Sequence, residues 1–546
     1  MSQQGCFDLT CTMASRASEV LTSASVFRPV VPLPRDLATH LKICFEDILI
    51  QGITIFGDVT LCGTSHPNRL QTPAYKPEPI LIEILTTLLI HPKYTTRALA
   101  EHKEIPQRSI HILRGLVESI GPLSIDLSIA YSLKSAEGRH ARSGNDFDDE
   151  SIDVKKVLGN RGRLKDNAKD FWQIVGWAFN CSVVHHRRWK YWKVWLDYML
   201  DVLDADWDAR ERLDIEETGT SYGGDSFQAK STRRSEALIV QYLSDVGRST
   251  KLQTVVDSIF TDGGGHDMAS YPEVFPNETL GASAVKKVEK QVNYTKGFGN
   301  LEEGDDDEME FGIAALGDEE LSCSQISQST DDGEATPDHW LGGSESITLR
   351  QRIIIQLSRV SLYLPQNFVP IRTLYTCLTD AIKSLPVESF SLLMSGTSST
   401  FLPDNVQVSL SGMLLARYLP KDAPNPRNFR KGQDNDDLNR DTLEKCYLPF
   451  AASTSSAEDN AKVSILVETA FRLCVKSGVI ARRSPGLKTA VEKGIRAREF
   501  KVNSTKPKAR GASKMQKRDD SPDKMWLKTS GLRIRAMLAF LEQAGS

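Results

Sequence analysis

The chain has 546 residues, 40% of them hydrophobic and 25% charged, with 36 Gly and 24 Pro. Those fractions exclude a wholly disordered, collagenous or low-complexity protein, and the length predicts about two to four domains with real cores. The 67 Lys and Arg against 71 Asp and Glu leave a net charge of -4, which as a mean indicates neither a basic nucleic-acid binder nor an acidic chaperone.

Residues 1–28 are Ser/Thr-rich and are expected to be disordered. Met1 to Ser25 holds only Arg16 as a base and no long apolar core. That excludes a secretory signal or an Arg-rich transit peptide. From Pro29 to Ile129 the apolar residues recur at helical spacing, as in Leu37, Leu41, Cys44, Phe45 and Ile48. Pro92, Pro106 and Gly121-Pro122 punctuate the run, which predicts short antiparallel helix pairs. The apolar stretch 80–90 is too short to cross a membrane, which takes about 20 residues. No membrane partner is expected. Nine Cys at irregular gaps, without a C-x-x-C pair, read as free thiols in a reducing compartment.

Residues 134–167 form a polar break, predicted to be a loop insertion. Residues 168–207 then hold six of the eight Trp. Trp172, Val175, Phe179 and Val183 share one helical face; Trp192, Trp195, Met199 and Leu203 share another. The spacing predicts a helical hairpin turning near His185 to Arg188. Arg187, Arg188 and Trp189 fall at that turn and are the expected exposed interaction surface. With Lys190, Tyr191 and Lys193 they could also stack and hold nucleic-acid bases.

Other candidate chemistry fails on spacing. Cys181, His185 and His186 lack a second ligand pair, so no metal is expected. Asp204, Asp206 and Asp208 resemble a calcium loop, but Ala209 replaces the turn Gly and Ile215 the closing Glu. They are expected to be a solvated helix end. Gly263 to Gly265 lacks the Gly-Lys-Ser/Thr ending of a phosphate loop. No hydrolase, zincin or kinase motif set occurs. The expectation is a non-enzyme without cofactor.

Residues 297–346 contain 15 Asp and Glu and no Lys or Arg. Such a run is expected to be a disordered acidic linker. Ser324-Gln and Ser327-Gln in it resemble targets of DNA-damage checkpoint kinases. Ser329, followed by Asp331 and Asp332, resembles an acidophilic-kinase site. A second helical block is predicted over 347–481. Residues 482–524 are basic and expected to be flexible; Arg482 to Arg518 carries 13 Lys and Arg against two Glu. Lys506, Lys508 and Arg510, followed by Lys514, Lys517 and Arg518, resemble a bipartite nuclear import signal, or an arm for phosphate contacts. Ser521-Pro resembles a cyclin-dependent kinase site. Residues 525–546 predict a terminal amphipathic helix carrying Trp526, Leu527, Ile534, Met537, Leu538 and Leu541.

The fold class expected is all-α. It consists of helical-repeat pairs of the HEAT or armadillo kind in two blocks, 29–296 and 347–481, joined by the acidic linker. The expected function is a nuclear, non-enzymatic scaffold that binds protein partners. Its suggested process is chromosome or genome maintenance, under phosphorylation control. The alternative is a DNA- or RNA-binding protein that uses its basic segment.

Overall fold

Phe171–Val184 carries apolar side chains all round, and such a helix can only sit inside a protein. It does: Trp172, Val175, Trp177, Phe179 and Cys181 are inaccessible to solvent. The computed structural model in which this is seen describes residues 27–133, 152–159, 162–218, 233–246, 251–280, 340–395, 402–429, 438–480, 484–504 and 521–543.

Within those residues the protein is helical almost throughout. Two three-residue strands, β1 (Val30–Pro32) and β2 (Ala74–Lys76), pair in parallel with Val30 opposite Ala74. The first helices are α1 (Arg35–Asp47), α2 (Leu49–Leu61), α3 (Pro79–Leu88), α4 (Ile105–Ser119) and α5 (Leu127–Ala130). After the short α6 (Val154–Leu158) and α7 (Leu164–Asn167) come α8 (Phe171–Val184) and the long α9 (His186–Thr218). Then follow α10 (Leu238–Asp245), α11 (Lys251–Ile259) and α12 (Gly265–Ser270). The later set is α13 (Gly343–Tyr363), α14 (Ile371–Ser384), α15 (Val387–Met394), α16 (Asp404–Tyr418), α17 (Arg440–Thr442, continuing as a π turn to Tyr447), α18 (Ala457–Lys476), α19 (Pro485–Asn503) and α20 (Pro522–Gln543).

The two sets lie in one compact unit, formed by the residues up to Glu278 and from Trp340 onward. One continuous apolar core runs through both sets, and ordered polar contacts also cross between them. Arg350 of α13 is wholly buried, with its guanidinium 4.0 Å above the Phe179 ring. It donates to the carbonyls of Ile259 and Thr261, the latter at 3.0 Å. No carboxylate touches it, so burial pushes its pKa down to about 9. Beside it, Arg352 reaches Asp197, Asp201 and Asp204 of α9 at 2.8–3.0 Å. Arg359 reaches Asp208. Asp204 and Asp208 are therefore not a solvated helix end. Asp206 is buried as well and binds Arg210 and the Leu238 N–H, at 3.0 and 2.8 Å.

Three expected flexible segments are partly built into the core. Residues 152–159 and 162–167 pack Ile152, Val157, Leu158 and Leu164 inward. Their charges are answered by Glu46, which holds Lys156, and by Glu83, which holds Arg163 and Lys165. The acidic run ends before 346: Ser346 is buried in α13 and its hydroxyl lies 3.2 Å from that of Ser182. The first half of the basic segment is α19, because Leu487, Val491 and Ile495 give it an apolar stripe.

Candidate interaction surface

The C-terminal helices α19 and α20 are held tightly on their inner side. Ser484 caps α19 by accepting from the Leu487 N–H at 3.1 Å, with Pro485 at the first helical position. Gly494 lets α19 approach the Leu448 carbonyl, which a methyl there would overlap. Arg498 is wholly buried and donates Nη1 to the Phe450 and Leu448 carbonyls at 3.0 and 3.3 Å. Burial without an acid in contact lowers its pKa to about 10. On α20, Leu527, Ile534, Leu538 and Leu541 are buried, and Trp526 and Met537 pack partly against the same core. The apolar stripe of the terminal helix is thus used for docking onto the protein itself.

The outer side is different. Met525, Leu532 and Phe540 are 66%, 63% and 63% exposed. Spacings of seven and eight residues put them in one row along α20. Glu492 pairs with Arg535 through two bonds at 3.0 Å, and Gly531 lies against Ile495. This antiparallel register brings Phe500, 75% exposed, level with Trp526. The outward face of a helix at the edge of a helical array is ordinarily polar. Lys488, Lys493 and Arg496 of α19 and Lys528 of α20 are exposed and make no ion pair among the described residues. Residues 485–504 and 521–543 together hold nine Lys and Arg against four Asp and Glu. Exposed apolar and basic side chains thus occur together on α19 and α20, a composition suited to an acidic amphipathic partner.

The turn is exposed at His186 and Arg187, but the expected surface of Arg187, Arg188 and Trp189 does not form. Arg188 and Trp189 are buried. Helix α9 starts at His186, so Arg188 falls on the inward stripe with Trp192 and Trp195, at i+4 and i+7. Its guanidinium donates to Thr95 Oγ1 at 2.8 Å and the Ile90 carbonyl at 2.6 Å, and pairs with Glu278. Trp189 lies 6.4 Å from the Phe179 ring. Neither can stack on a base or a partner.

Ser521 is exposed and precedes α20; its hydroxyl accepts from the Lys524 N–H at 3.4 Å. Ser324, Ser327 and Ser329 lie outside the described residues, as do Lys506, Lys508, Arg510, Lys514, Lys517 and Arg518. Among the described residues no three His, Cys, Asp or Glu side chains gather to hold a metal ion, and no helix is long and apolar enough to cross a membrane. Compared with protein-family models and with curated proteins, the chain matches none.

Proposed function

We propose that this protein is a non-enzymatic nuclear scaffold built of HEAT- or armadillo-like helix pairs, which holds protein partners at its C-terminal helices. The observation that carries the reading is the row Met525, Leu532 and Phe540, which faces outward from α20, with the exposed Lys528 on the same helix. A helix already docked through one apolar stripe gains nothing for its own fold from a second, exposed one. The Ser-Gln pair at Ser324 and Ser327 supports a role in chromosome or genome maintenance, with phosphorylation as the control. The Lys506–Arg518 cluster supports import into the nucleus.

The test compares the full chain with its L532E/F540E variant in quantitative affinity capture. Glu at exposed sites costs the fold little, so both should melt together. A discrete set of proteins should be lost from the variant, and should bind the purified wild-type chain directly. Identical capture by both would reject the reading. Deleting Lys506–Arg518 should leave a tagged protein in the cytoplasm, and a nuclear deletion variant would reject the import assignment.

The exposed, unpaired Lys488, Lys493, Arg496 and Lys528 favour one second reading, nucleic-acid binding by this basic end. It predicts affinity that falls linearly with the logarithm of salt concentration. Absence of binding at low salt would remove it.

A further inference from the structure

Helices α19 and α20 lie side by side and antiparallel, with Gly531 against Ile495 and Glu492 bonded to Arg535 at 3.0 Å. Each residue turns a helix on by about 100°. Arg496 follows Ile495 and Leu532 follows Gly531, so each points about 100° round from the line between the helices. Viewed down one axis, the two turns run in opposite senses from opposite starting directions. They carry Arg496 and Leu532 to the same side of the pair. The Glu492–Arg535 bond fixes the sense. Both residues stand about 40–60° round from that line, and they meet because they share a side.

Two exposed strips therefore run next to each other. On α19 the strip is Thr489, Lys493, Arg496 and Phe500, and on α20 it is Met525, Thr529, Leu532 and Ala536. Each strip follows the spacing of a single helical face. Arg496 comes level with Ser530, between Lys528 and Leu532 in height. Lys528 is exposed on the side of α20 toward α19. Lys493, Arg496 and Lys528 make no ion pair among the described residues, and the acid beside them that makes none either is the half-buried Glu499. Glu492 is answered by Arg535. The other flank of the apolar strip differs. It holds the exposed Phe540, and Arg533, which is bound to Glu468 at 2.8 Å. Unanswered positive charge thus borders the apolar strip on its α19 flank. Within the strip, Ala536 sits between Leu532 and Phe540 at spacings of four and leaves a notch of the kind that takes a side chain from a packed helix.

Taking the partner site on α20 as the proposed function has it, we propose that its occupant is an amphipathic α-helix with carboxylates along one flank of its apolar stripe. It lies in the furrow between α19 and α20. Its apolar residues rest on Met525 and Leu532 and enter the notch at Ala536. Its carboxylates meet Lys493, Arg496 and Lys528, which supply specificity and steering more than raw affinity. Neighbouring helix axes stand about 8–10 Å apart, so the furrow between two of them seats a third.

The experiment measures fluorescence anisotropy of a labelled synthetic helix titrated with the full chain. Each heptad of the probe has Leu at its first and fifth positions, Glu at its second, and Ala or Gln elsewhere. It is kept at concentrations where it is monomeric. The acidic probe should bind saturably, and a twin with Lys for every Glu should not. L532E should abolish binding. K493E/R496E should weaken the acidic probe about tenfold or more, and should in turn bind the Lys twin. Melting curves establish that each variant is folded. An acidic probe that does not bind, or that binds folded K493E/R496E as well as the wild type, would overturn the proposal. If cellular proteins are nevertheless lost from L532E/F540E, the proposed function stands without it. Binding of the acidic probe with no cellular protein lost from that variant would reject the proposed function and leave the chemistry of the furrow as stated.

Discussion

The indole N–H of Trp192 donates to Glu278 Oε2 at 3.0 Å, across 86 positions of sequence, and the same carboxylate takes the guanidinium of Arg188. The Val274 and Phe275 N–H groups complete its shell, both at 3.1 Å. Every atom of this carboxylate is out of water. Burial is the dominant influence on its pKa and raises it, against the pull of Arg188. Removing one partner leaves the other charge buried and alone, which costs about 3–5 kcal/mol. R188M and E278Q should each show a loss of that order in the denaturant midpoint. The double variant R188M/E278Q should lose less than the sum of the two. Additive losses would mean that the two side chains do not act as a pair.

Most of the fold was legible in the sequence because its signal is period. The hairpin of α8 and α9 and the amphipathic stripes of α13 and α14 follow from apolar spacing alone. What escaped were the buried charges. Arg188 reads as a surface residue and Arg498 as part of a flexible basic segment, since a guanidinium is rarely taken inside without a partner, and nothing in the sequence singles out Arg350. Their partners are mostly carbonyl groups left unpaired where helices end, and sequence spacing does not record those. The candidate surface was missed for a related reason. The α20 stretch carries two apolar stripes, and the inward one, Leu527, Ile534 and Leu538, masks the outward Met525, Leu532 and Phe540.

His91 gives the stability a pH dependence. Its Nδ1 accepts from the Lys93 N–H at 3.3 Å, and its ring meets Phe275 edge-on with centroids 5.1 Å apart. Burial first, then the charges of Lys93, Arg188 and Arg97, push its pKa down to about 4. The unfolded chain takes the proton near pH 6.5, whereas the folded one resists it until about pH 4. Stability from this group is complete above pH 6.5 and declines as pH falls, by about 2–3 kcal/mol at pH 4. H91N retains a capping side chain but cannot titrate there. Urea melts at pH 7 and pH 4 should show a smaller difference for H91N than for the wild type. Equal differences would remove His91 as the source.

Two glycines make opposite predictions. At Gly494 an added methyl would overlap the Leu448 carbonyl, which is itself fixed by Arg498. At Gly412 the same methyl meets only Tyr447 Oη, at an ordinary contact of 3.8 Å. G494A should destabilise by more than about 2 kcal/mol, as overpacking does where backbone cannot yield. G412A should raise stability by about 0.5–1 kcal/mol, the helix-propensity gain. Thermal melts of the two variants measure both, and a tolerated G494A would contradict the close approach of α19.

The seam at Arg350 and Arg352 predicts that the chain holds together after a cut. A protease site placed at residue 325 and cleaved should leave the two fragments co-eluting in size exclusion. R350M removes the bonds to the Ile259 and Thr261 carbonyls. It should lower stability by about 2 kcal/mol or more, so that the cut protein separates at lower denaturant. Fragments that separate without denaturant would show that the two helical sets are independent domains.

The central claim is that the outward face of α20 is where a partner sits. A photo-crosslinking amino acid placed at Leu532 of the full chain, in cells, tests this at the side chain itself. The control is the same probe at His111, an exposed residue of α4. The account predicts discrete crosslinked species from position 532 that are absent from position 111. It also predicts that F540E abolishes them. A probe at 532 that traps nothing, or only what position 111 traps, would contradict it.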